Sequence, residues 1–124
     1  MASKTYNLDS LFKALADHTR LRLISRIGDS EVCVCFLVEI LKTSQPKISR
    51  HLAYLRRAQI VAARREGKWM HYRVNEPTDK DAAEVFEATM KMLETDKVMQ
   101  ADRKRLIDFC CAPDAPVTIQ GRQL

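Results

Sequence analysis

Apolar residues recur at helical spacing through the first half of the chain. Leu8, Leu11, Phe12 and Leu15 fall at i, i+3, i+4 and i+7, one face of a helix. Leu21, Leu23, Ile24 and Ile27 outline a second amphipathic helix, with Gly28 placed to stop it. A short third helix is predicted from Val34 to about Leu41, with Cys33 and Cys35 at its beginning. In "TSQPKISRHLAYLRRA", Thr43 or Ser44 can act as N-cap, and Pro46 sits in the first turn, where its missing N–H costs nothing. Ile48, Leu52 and Leu55 then form an apolar stripe. Gln45, Lys47, Ser49, Arg50, Tyr54 and Arg57 are left mainly on the other side, so this helix reads as half core and half contact surface.

The period then changes. Val61–Arg65 and Trp69–Val74 flank Glu66-Gly67, which predicts a β-hairpin with glycine in the turn. Its tip carries Arg64, Arg65 and Lys68. A long helix is predicted from Thr78 or Asp79, with Ala82, Val85, Phe86, Met90 and Leu93 on one face, continuing or breaking and restarting to about Phe109. The tail, residues 110–124, is expected to be flexible and carries Cys110 and Cys111 at its start. Residues 1–109 then make one domain.

Composition narrows the function classes. The chain has 124 residues, a formal charge of +5, three glycines and four prolines. So few turn-formers argue against an all-β sandwich. No apolar run is long enough to span a membrane, and the first ten residues lack the apolar core of a secretory signal. A cytoplasmic location follows as the expectation, with the four cysteines reading as ligands or redox sensors rather than staples. The basic balance favours an acidic partner such as nucleic acid.

The order of elements says more. A short helix, a tight turn, a polar-faced helix and a basic hairpin make a winged helix-turn-helix, mainly α with a small β-hairpin. The polar-faced helix can enter a major groove about 12 Å wide, where Ser44, Gln45, Lys47, Ser49 and Arg50 would meet operator double-stranded DNA. Arg64, Arg65 and Lys68 would hold phosphates, and His51 could touch one.

The segments "KALADHTRLRLISRI", "EVCVCFLVEIL", "SQPKISRHLAYLRRAQIV" and "RREGKWMHYRV" together resemble the ArsR/SmtB family of bacterial metal-responsive repressors, and most nearly its arsenical-responsive branch. The match runs from about residue 7 to residue 95. The resemblance implies a homodimer through the first and last helices that leaves its operator when a metal or metalloid binds. It also implies an inducer, As(III) or Sb(III). The family's thiol site has the form E-L-C-V-C-D-L-C; here Cys33 and Cys35 match, while Val38 stands in place of the third cysteine.

Soft thiolates select thiophilic ions such as these. On a regular helix, residues i and i+2 point about 200° apart, so both thiols could grip one ion only by unwinding that turn. A third ligand could come from Cys110 or Cys111, of the same or the partner subunit. Alternatively, two thiols suffice for a methyl arsenical, or the vicinal pair is a separate site. The zinc-sensing branch draws on histidines of the last helix, and residues 79–109 contain none; the cadmium/lead type adds an N-terminal cysteine, absent from residues 1–32. His18, His51 and His71 read as packing or DNA-side groups. A thiol redox sensor on the same scaffold is the nearest rival. An enzyme is not expected, because the βαβ context and phosphate loop of thiol oxidoreductases and arsenate reductases are missing.

Overall fold

The computed structural model describes residues 7–110; the side chains of Phe109 and Cys110, and everything from Cys111 to the end of the tail, lie outside the described residues. Helix α1 (Leu8–Leu15) starts at Asn7, whose side chain accepts the Ser10 N–H. Its predicted apolar face divides in two. Leu11 is fully buried, whereas Leu8 and Phe12 are 55% and 52% exposed. Helix α2 (His18–Ile27) is capped by Asp17 and ends at Gly28, whose φ of 55° and ψ of −128° suit glycine.

Next comes an element absent from the pattern-based expectation: a short strand, β1 (Glu31–Cys33), directly before helix α3 (Val34–Leu41). Lys42, in the left-handed region at φ 55°, leads with Thr43 and Ser44 into helix α4 (Gln45–Arg57). Ser44 is the N-cap, with Pro46 in the first turn, and Ile48, Leu52 and Leu55 are buried as predicted.

Strands β2 (Val61–Glu66) and β3 (Trp69–Val74) pair from Val61↔Val74 to Glu66↔Trp69. The two-residue loop has Gly67 at φ 62°, the positive φ that a tight hairpin of this kind requires at its first position. β1 then pairs antiparallel with β3, so the expected hairpin is the larger part of a three-stranded sheet ordered β1-β3-β2. Helix α5 (Lys80–Glu94) is capped by Asp79. The chain breaks at Thr95-Asp96 and restarts as helix α6 (Lys97–Cys110), with the Asp96 carboxylate accepting from Val98 N–H at 2.8 Å.

Phe36, Leu37 and Ile40 of α3 join Leu23, Ile24 and Ile27 of α2, the stripe of α4, and Val32 and Val61 of the sheet in one core. α6 closes this core from the far side with Met99 and Leu106 and is also tied to it through charge. Arg22 of α2 grips the buried Asp102 of α6 with two bonds of 2.8 Å, and Arg105 binds the same carboxylate. Arg105 Nε also donates to the Ile40 carbonyl at 3.0 Å, so the C-terminal end of α3 is capped from α6.

Candidate nucleic-acid face and thiol pair

Four of the five polar residues predicted to read bases, Gln45, Lys47, Ser49 and Arg50, are exposed on the first turns of α4, and Ser44 is exposed at its cap. The buried stripe turns the opposite side of the helix into the core, which leaves these groups aimed at solvent. His51 is placed differently. Its Nδ1 lies 3.4 Å from Arg20 Nη1 and 3.9 Å from Asp17 Oδ1, packed against the start of α2. Burial holds its pKa below the usual value against the pull of Asp17, with Arg20, Lys47 and Arg50 adding to the depression.

The three wing cations also separate. Arg65 and Lys68 are exposed, and Lys68 lies over the Trp69 ring at 5.5 Å. Arg64 is held in a fork: its Nη2 donates to Glu31 Oε1 at 2.8 Å and its Nε to both Glu31 oxygens at 3.2 Å. That pair lowers the Glu31 pKa and raises that of Arg64.

The thiols meet. Cys33 Sγ and Cys35 Sγ are 3.1 Å apart. The expected divergence of about 200° is overturned because it assumed that both residues are helical. Cys33 is instead the extended N-cap of α3, with φ −69° and ψ 144°, and only Cys35 lies in the first turn. One centre can therefore bridge them without unwinding the helix. Cys33 is fully buried and Cys35 partly so. Burial, and then the hydrogen bond between them, pushes the Cys35 thiol up to about 12.

Among the described residues, no three His, Cys, Asp or Glu groups converge into a metal-binding cluster. The donor set in hand is thus two soft sulfurs, a fit for a thiophilic metalloid and not for a tetrahedral zinc site. Whether Cys110 or Cys111 joins them lies outside the described residues. No helix among the described residues is long and apolar enough to cross a membrane.

A sequence profile described as "Bacterial regulatory protein, arsR family" matches residues 17–63, from the cap of α2 into β2. The arsenical resistance operon repressor of Escherichia coli is 42% identical over 106 residues, covering 85% of this chain and 89% of that one. The chain belongs to the ArsR family. The arsenic resistance transcriptional regulator ArsR1 of Pseudomonas putida is 53% identical over 66 residues, 52% of either chain. The solved structure of HlyU from Vibrio cholerae superposes with a TM-score of 0.59 at 30% identity, over 68% of this chain and 88% of that one.

In this ArsR-family transcriptional repressor one further residue, Arg20, supports the candidate nucleic-acid face without having been singled out by the pattern. Arg20 donates to the Ala14 and Lys13 carbonyls at 3.0 and 2.7 Å and lies 4.2 Å over the Tyr54 ring. It caps α1 and braces α4 from behind. Its sequence context, a cation between apolar positions of an amphipathic helix, reads as solvated surface. The tight turn from α1 into α2 gives it the two carbonyls, and the crossing of α4 over α2 gives it the Tyr54 ring.

Proposed function

We propose that this ArsR-family repressor controls an arsenic-resistance operon and leaves its operator when trivalent arsenic or antimony binds Cys33 and Cys35. One observation carries this reading: two thiols in contact at the start of α3, one helix ahead of the exposed polar face of α4. The names of the E. coli and P. putida relatives support arsenic as the inducer. Cys110 or Cys111, of either subunit, would supply a third thiolate, or a methyl arsenical would need none.

The repressor acts as a cytoplasmic homodimer. Ser44, Gln45, Lys47, Ser49 and Arg50 of each chain enter successive major grooves, while Arg65 and Lys68 hold phosphates beside them. Arg64 reaches DNA only by leaving Glu31, and His51 only by leaving Arg20. Arsenous acid reacts by exchange. Each thiol proton leaves with an arsenic-bound hydroxide as water, so As–S bonds form with no redox change. Bridging buried sulfurs shifts the N-terminus of α3, and α3 carries α4 through a three-residue turn. A coupling of about 1–3 kcal/mol corresponds to a loss of operator affinity of roughly 5- to 150-fold.

The test is arsenite titration of the reduced protein on labelled DNA from upstream of its own gene. Wild type should be released, Cys33→Ser and Cys35→Ser retained. A Cys110→Ser/Cys111→Ser double variant decides the third ligand. If peroxide releases wild type and arsenite does not, the thiol redox sensor replaces this reading.

A further inference from the structure

Strand β1 joins the thiol pair to the wing, as α3 joins it to α4. Its three residues pair with the central strand of the sheet, Glu31↔Arg73, Val32↔Tyr72 and Cys33↔His71. His71 in turn opposes Arg64 on β2. Cys33, His71 and Arg64 thus stand in one row across the sheet, and directly opposed residues share a face. On that face the Glu31–Arg64 fork reaches over β3 to tie β1 to β2, the two outer strands. Arg64 extends the network to Glu66 Oε1 at 3.6 Å, and Glu66 Oε1 lies 3.3 Å from Nε2 of His71, which is 3% exposed. On the other face Val32 is fully buried in the core.

We propose that Glu31 and His71 are positioning residues of the wing, which index it to Cys33 so that occupancy of the thiols moves the wing together with α4. The proposal rests on the thiols being the inducer site. Cys33 ends β1 and caps α3, so a backbone shift there is shared by both elements. β1 is held to the wing by backbone pairing and by a bidentate ion pair, the geometry in which a guanidinium fixes direction as well as charge. While paired, Arg64 is withheld from phosphate. A shift of β1 changes both the angle of the wing and the freedom of that cation.

Trp69, the one tryptophan of the chain, begins β3 beside the turn and reports on the wing. In a Cys110→Ser/Cys111→Ser background, phenylarsine oxide would be titrated without DNA. Arsenic uptake is followed by loss of titratable thiol and the wing by Trp69 emission. Emission should change in step with uptake. Glu31→Gln should take up the arsenical within twofold of its parent while losing more than half of the emission change. Its ratio of operator affinities, free over loaded, should fall at least threefold. The reversed pair Glu31→Arg/Arg64→Glu should recover the emission change, which a mere loss of packing would not.

Uptake with silent Trp69 emission, or an undiminished response in Glu31→Gln, overturns the proposal. No uptake by the thiols sinks the inducer site itself, and this proposal with it; the thiol count separates that failure from the first.

Discussion

Cys35 is a thiol that resists ionisation, and that property sorts its ligands. A divalent cation must expel the proton of each thiol it binds, so its apparent affinity falls as that proton is held harder. Arsenous acid, neutral near pH 7, carries hydroxide with it and releases water instead. With the Cys35 pKa near 12, every pH unit below that value costs a divalent ion about tenfold through this one group. The proton balance of arsenous acid has no such slope. Between pH 6 and 8, isothermal titration should therefore show Cd²⁺ affinity rising at least 100-fold while arsenite affinity stays within threefold. The arsenite association rate should still climb with pH, because the thiolate is the attacking species. An arsenite affinity that falls with pH while that of Cd²⁺ levels off would mean that Cys35 ionises more readily than its burial implies.

At the scale of elements, α6 is held by a buried charge cluster beside its apolar contacts Met99 and Leu106. Asp102 is fully buried between Arg22 and Arg105, and Arg26 adds a 2.9 Å bond to the Met99 carbonyl. Removing Asp102 leaves Arg22 without its main partner, at 16% side-chain exposure, whereas Arg105, at 40%, can turn to water. Asp102→Ala should then cost about 3 kcal/mol, near the low end for breaking a buried pair, read as a lower urea midpoint at unchanged slope. None of this was legible in "ADRKRLIDF", where charges three residues apart read as a solvated face and Arg22 lies 80 positions away. Strand β1 was hidden for a related reason. Three residues are too few to show alternation, and their partner is the far side of the hairpin. The helices of the DNA-reading half were legible because their signals are local: Gly28 at a positive φ, Pro46 in a first turn, and the stripe Ile48, Leu52, Leu55. The start of α3 at Val34 was read correctly, but the contact between the thiols was misjudged because helical geometry was extended to Cys33. Cys33 belongs to the strand.

At the scale of the whole molecule, large apolar groups stand exposed among the described residues. Leu8 and Phe12 lie one turn apart on α1 at 55% and 52% exposure, and Met92 on α5 is at 74%. They belong to the first helix and to the helical C-terminal half, where the resemblance to the family puts the dimer contact. Full burial of a Leu or Phe side chain contributes roughly 1.5–3 kcal/mol each, and a symmetric interface uses every residue twice. Phe12→Glu should therefore convert the proposed dimer into a species of single-chain mass, 14.3 kDa, by sedimentation. Operator affinity should drop more than 100-fold, since one chain then engages one half-site. The same exposure gives the control. A charge at a position half open in the lone chain should cost its fold little, so the monomeric variant should retain its helical circular dichroism. If Phe12→Glu stays dimeric and binds DNA as wild type does, α1 is not the contact. The two chains would then have to meet through α5 and α6 alone, and Met92→Glu becomes the variant that separates them.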